Sequence, residues 1–116
     1  MICYYAHCKS IYNTPQEKRD IATLERLGFI VLNPNSPEYE AGWKEQGMDY
    51  AQVLLDRCYC IAFRGLPDGN IPCGVYTEIE MAEEREMPCF ELPSRIRLRE
   101  LSYPETVEYL MEVGER

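Results

Sequence analysis

The sequence predicts a single α/β domain built on an open, doubly wound parallel sheet with helices on both faces. Three observations predict it. Four short apolar runs, at residues 2–6, 29–32, 59–63 and 88–92, are spread along the chain. Stretches of helical periodicity and short connections separate them, which is the pattern of parallel βαβ units. The length, 116 residues, fits one domain with one real core.

Ile2-Cys3-Tyr4-Tyr5-Ala6 is continuously apolar and reads as a strand buried on both faces. After a loop from His7 to Asn13, Thr14-Pro15-Gln16-Glu17 starts a helix. Thr14 caps it, Pro15 suits the first helical position, and Glu17 completes a capping box. Ile21, Leu24 and Leu27 recur on one face, and Gly28 is placed to end the helix. Phe29-Ile30-Val31-Leu32 is a second buried strand, broken by Asn33-Pro34-Asn35-Ser36-Pro37.

Residues 38–47, with Tyr39, Gly42, Trp43 and Gly47, show no clear period. A helix is expected from about Met48 to Arg57, with Ala51, Val53 and Leu54 inward. Tyr59–Phe63 is the third strand, and residues 64–70 are loop. The next helix runs from Gly74 to about Glu86, with Val75, Ile79 and Ala82 inward and Glu80, Glu83 and Glu84 on a solvated face. Pro88–Leu92 is the fourth strand.

Residues 1–92 thus form the α/β core, and 93–116 an arm and helix packing on the same domain. Arg95, Arg97 and Arg99 alternate with Ile96, Leu98 and Leu101, as in a fifth edge strand or an extended arm. A second capping box, Ser102-Tyr103-Pro104-Glu105, opens a helix that runs to about Val113 and ends at Gly114.

Right-handed crossovers make 2-1-3-4 the simplest strand order, a flavodoxin-like arrangement with the fifth strand as an addition. Ligands of such sheets bind outside the carboxyl ends of the strands, near the switch in strand order. The loops at that end begin at His7, Asn33, Arg64 and Pro93.

The net charge of −8 excludes a nucleic-acid polymer as partner, since phosphate backbones need a basic surface. A single nucleotide remains compatible with it. No apolar run is long enough to span a membrane, and the first residues lack the pattern of a signal peptide. The six cysteines form no C-x-x-C pair and there is one histidine, so neither a zinc site nor a thioredoxin-type motif is expected. Cys3, Cys60 and Cys89 sit in apolar runs as small core residues, and the thiols read as reduced in a cytoplasmic protein. No metal and no cofactor are expected.

Gly74-Val75-Tyr76-Thr77-Glu78-Ile79 is the stretch on which function turns. Glycine at a strand-to-helix junction admits a close ligand, and a helix start offers free N–H groups. Glu78 lies near that start, at the mouth of the sheet. Its plain structural alternative is an acid that complements the helix dipole. His7, Lys9 and Ser10 lie after the first strand, where a phosphate or a sugar hydroxyl would be met. Trp43 and Tyr39 either stack on a base or pack a subunit interface. Arg64 is either a ligand cation or a surface charge.

Four places in residues 2–92 resemble the nucleoside 2-deoxyribosyltransferase-like superfamily, which includes small 2′-deoxynucleoside 5′-monophosphate N-glycosidases. They are Tyr4-Tyr5-Ala6 in the first strand, Gly28-Phe29-Ile30-Val31-Leu32-Asn33-Pro34, Asp49 before the third strand, and Gly74-Val75-Tyr76-Thr77-Glu78 followed by Ala82. The resemblance implies a Glu78 nucleophile, an Asp49 partner, Tyr4 or Tyr5 at the sugar, and a homodimer or larger homo-oligomer. Asn33, Gly74 and Val75 belong to its substrate-binding positions. The chain departs from the family at His7-Cys8-Lys9-Ser10, where Gly and Ser are usual. It departs again at Tyr59, where Asp is common, and at Pro72-Cys73, where phosphate-gripping members place Ser.

Cleaving an N-glycosidic bond develops positive charge on the sugar, which a carboxylate beneath the anomeric carbon stabilises or bonds to. The base leaves with a proton, the task of a second acid. The expectation is N-glycosidic cleavage or base exchange on a small nucleoside or nucleoside 5′-monophosphate. Two alternatives stand beside it: a non-catalytic nucleotide-binding or sensing module, and a glycohydrolase of a dinucleotide.

Overall fold

β1, Ile2–Ala6, lies inside the sheet, flanked on both sides by other strands. Its unbroken apolar run fits that place, because a strand covered on both faces has no polar side to show. The structure is a computed structural model that describes residues 1–65 and 70–92. β1 pairs with β2 (Ile30–Leu32) and with β3 (Cys60–Arg64), and β3 pairs with β4 (Cys89–Leu92). Every pair is parallel and the order is β2-β1-β3-β4, a flavodoxin-like sheet. Tyr4 sits opposite Leu32 on one side and Ile61 on the other, which fixes the register. The expected fifth strand and the last helix lie outside the described residues.

Side chains of β1 alternate between two apolar layers. Cys3 and Tyr5 join Cys60, Ala62, Leu92 and Leu24 on one face. Tyr4 and Ala6 join Ile61, Leu54, Val75 and Ile79 on the other. Leu24 comes from α1 (Pro15–Arg26), and the second layer is closed by α3 (Tyr50–Leu55) and α4 (Cys73–Glu84). Val75, Ile79 and Ala82 point inward as the periodicity required, with Glu80, Glu83 and Glu84 exposed. No helix among the described residues is long and apolar enough to cross a membrane.

The ends of α1 follow from local chemistry. Thr14 Oγ1 accepts the Glu17 N–H at 3.3 Å, as capping requires. The box is not closed in the expected way: the Glu17 carboxylate accepts from the Asn13 N–H at 3.2 Å, because the Thr14 N–H is already given to the Ile11 carbonyl. At the other end the Gly28 N–H donates to Glu25 O and the Phe29 N–H to Leu24 O. These are the two bonds of a Schellman stop, with Gly28 at φ +96° where a side chain would be strained.

Three expectations need correction. Residues 38–47, without legible period, contain α2 (Glu40–Gln46). The helix expected from Met48 begins at Tyr50, after a 3-10 turn at Gly47–Asp49, and buries Leu55 while Val53 stays exposed. Cys89 is exposed instead of core, and β4 is buried at its other end, at Leu92.

α2 is held by aromatic contacts, not by an apolar stripe. Trp43 Nε1 donates to the Pro34 carbonyl at 2.9 Å, and Tyr50 meets the indole edge-on at 5.2 Å. Gly42 makes room for that tyrosine: a Cβ there would lie 2.2 Å from Tyr50 Cζ. Gly42→Ala is expected to push α2 away and to cost about 1–3 kcal/mol. A urea midpoint equal to wild type would contradict this.

Candidate active site

The carboxyl ends of β1, β2 and β3 open on a cavity of about 830 Å³. The loop after β1 supplies His7, Cys8, Lys9, Tyr12 and Asn13, the loop after β2 supplies Pro34 to Pro37, and α2 gives Trp43 and Lys44. Gly74, Val75 and Glu78 of α4 line the opposite side. This is the crevice that the strand order places beside the switch between β1 and β3.

Glu78 is the buried acid of this cavity, only 6% exposed. It stands at the sixth position of α4, because the helix starts at Cys73. The Tyr4 hydroxyl, delivered from β1, donates to Glu78 Oε2. Burial pushes the Glu78 carboxyl up to about 7, and the Tyr4 hydrogen bond works against that rise. Burial and the neighbouring Glu78 charge hold the Tyr4 phenol well above its ordinary value, so it remains a donor. The N-cap residue of α4, Pro72, gives its first turn no side-chain cap.

His7 lines the cavity, yet both ring nitrogens are already engaged. Nδ1 lies 3.0 Å from the Tyr5 carbonyl and Nε2 lies 2.8 Å from Glu17 Oε2. An imidazolium donates to both oxygens, whereas a neutral ring donates to only one. Burial raises the Glu17 carboxyl, but hydrogen bonds from His7, the Asn13 N–H and Asn35 outweigh it, and the net shift is downward. Asn35 Nδ2 reaches Glu17 Oε2 at 3.1 Å and so ties the β2 loop to α1. The His7 ring stacks on Tyr5 at 3.9 Å, with the planes 5° apart.

Tyr5 and Arg64 lie beneath the site. The Tyr5 hydroxyl donates to Asp20 Oδ2 at 2.5 Å. Arg64 grips the same carboxylate with both arms, Nε at 3.0 Å and a terminal nitrogen at 2.6 Å. Asp20 and Arg64 are both buried. Arg64 is therefore not a surface charge but part of a buried ion pair, and it does not line the cavity.

Of the other residues singled out from sequence, Lys9, Trp43, Gly74 and Val75 line the cavity. Ser10, Asn33 and Asp49 do not. Ser10 donates to Cys8 Sγ at 3.3 Å; this bond and backbone N–H groups lower the Cys8 thiol. Asn33 Oδ1 accepts the Asn35 N–H at 2.9 Å and shapes the β2 loop. Asp49 is exposed on the 3-10 turn and is not brought beside Glu78. Gly47, at φ +60°, ends α2, and of the two residues that follow it Met48 lines the cavity and Asp49 does not. Tyr39 packs toward Tyr50 instead of into the cavity.

Tyr12, Asn35, Glu17 and Asp20 were not singled out as site residues. Tyr12 carried a findable signal: it lies in the β1-to-α1 connection, at the carboxyl end of a central strand. Asp20 carried none, since its partner is 44 residues away. Neither a protein-family model nor a curated protein matches this chain.

Proposed function

We propose that the protein cleaves or exchanges the N-glycosidic bond of a small nucleoside or nucleotide, with Glu78 as nucleophile. One observation carries the reading: a buried glutamate at the cavity, oriented by the Tyr4 hydroxyl and poised near neutrality. A catalytic carboxylate works best when its pKa lies near the working pH. In the reaction, a Glu78 oxygen attacks the anomeric carbon as the bond to the base breaks. The electron pair leaves with the base, which takes a proton from solvent in the open cavity. Water then attacks the sugar–enzyme ester to release free sugar, or a second base attacks to give exchange. The stretches Tyr4-Tyr5-Ala6 and Gly74-Val75-Tyr76-Thr77-Glu78, which resemble the nucleoside 2-deoxyribosyltransferase-like superfamily, support the same chemistry.

A second reading is favoured by one feature. Among the described residues the cavity brings no second carboxylate into the role of acid: Asp49 is outside it, and Glu40 is exposed and paired with Lys44 at 3.1 Å. A nucleotide-binding module that does not turn its ligand over would need none. Incubation with nucleosides, mononucleotides and dinucleotides, followed by chromatography for free base, separates the two. Release that disappears in Glu78→Gln supports the glycosidase, and its substrate tells mononucleotide from dinucleotide. Tight binding without release supports the module.

A homo-oligomer belongs to the same proposal, since Met48, Ile71 and Tyr76 are exposed around this end of α4. Light scattering that returns the monomer mass at assay concentration would oppose it. The six unpaired thiols suit a cytoplasmic setting.

A further inference from the structure

Tyr12 lines the cavity and the proposed chemistry leaves it unused. Its backbone N–H is tied to the Lys9 carbonyl, and its ring packs on His7 at 4.8 Å with a 56° tilt. The ring is therefore held, not free to sweep. Its hydroxyl has no hydrogen-bond partner among the described residues. A half-buried, ordered phenol without a partner is a donor and acceptor waiting for a ligand group. The Glu78 charge reaches it: burial first, then Glu78, raise the Tyr12 phenol to about 12. Tyr12 and Glu78 line the same cavity, with Tyr4 spent on Glu78 Oε2 and the Tyr12 hydroxyl open.

We infer that Tyr12 and Glu78 together hold the sugar hydroxyl next to the anomeric carbon, so that the site prefers ribosyl over 2-deoxyribosyl substrates. The inference rests on the nucleophile assigned above. When Glu78 approaches C1, the nearest sugar hydroxyl is that on C2. That hydroxyl can donate to the carboxylate and accept from the Tyr12 phenol at once. Hydrogen bonds to this group strengthen as the ring gains charge, so they act on the transition state. A 2-deoxy sugar leaves the phenol unpaired in a filled cavity, which is how a site built for a hydroxyl rejects the analogue without it.

The test compares each ribonucleoside and ribonucleoside 5′-monophosphate with its 2-deoxy counterpart, by base release, in wild type and Tyr12→Phe. The variant keeps the ring against His7 and removes one oxygen. Wild type is expected to favour the ribosyl partner by roughly ten- to a hundredfold in kcat/KM. Tyr12→Phe is expected to bring the ratio to about twofold, through loss on the ribosyl side alone. Equal handling of the two sugars by wild type, or an unchanged ratio in Tyr12→Phe, overturns the inference. A parallel titration follows Trp43, the sole tryptophan and a cavity residue, in Glu78→Gln and in Glu78→Gln with Tyr12→Phe. If wild type releases no base from any compound, the glycosidase reading fails, and the ribosyl-to-deoxyribosyl binding ratio in this titration still decides Tyr12.

Discussion

Glu78→Gln is expected to stabilise the fold at pH 8 and to abolish the proposed base release. The glutamate ordinarily titrates at 4.5 and in the folded chain at about 7, chiefly through burial. Between those values the folded protein holds a proton that the unfolded chain has lost. Wild-type stability is therefore full below about pH 4.5, falls as pH rises, and has lost this contribution once pH passes about 7. The difference is on the order of 3 kcal/mol. Glutamine keeps the acceptor for Tyr4 and carries no charge to desolvate, so the variant lacks this pH-dependent loss. Urea unfolding of both proteins at pH 5 and pH 8 reads the effect. Parallel curves, with no gain at pH 8, would mean that Glu78 is solvated. A site that sacrifices stability to keep a buried carboxylate is the expected trade of an active centre.

Asp20→Ala is expected to destabilise by about 3–5 kcal/mol. The carboxylate accepts from Arg64, Tyr5 and Gln16 at 2.5 to 3.0 Å, and almost none of it meets water. Removing it takes the acceptor from a buried phenol and the charge partner from a buried guanidinium, and both losses are costly. Against a typical stability of about 5–15 kcal/mol, that is a large share. The double change Asp20→Leu with Arg64→Met is expected to recover part of the loss, since it removes both charges. A loss below about 1 kcal/mol for Asp20→Ala would assign the pair the worth of a surface bridge. The effect reaches the site through Tyr5, whose ring supports His7.

The sheet was legible because its strands are continuous apolar runs, and β1 needs cover on both faces. The start of α1 was legible because its signals are local: Thr14, Pro15 and Gly28 act within a turn of where they stand. Glu78 was legible because helix spacing buries Val75, Ile79 and Ala82, and the strand order brings the start of that helix to the crevice. What depends on distant partners was not legible. Arg64 looks like a loop cation until Asp20 is placed against it. α2 has no apolar stripe; it forms where Gly42 admits the Tyr50 ring and Trp43 reaches Pro34. Asp49 stands on a 3-10 turn after a glycine with positive φ, exposed and outside the cavity lining, an outcome its neighbours in sequence do not signal.

The dependence of kcat/KM for base release on pH, in wild type and in Tyr4→Phe, tests the central assignment most directly. A nucleophilic Glu78 gives a rising limb centred near pH 7 in wild type. That limb moves to higher pH in Tyr4→Phe, because the hydrogen bond that opposes the upward shift is gone. A rate that rises instead near pH 4.5, or a limb that stays in place when the Tyr4 hydroxyl is removed, would contradict it.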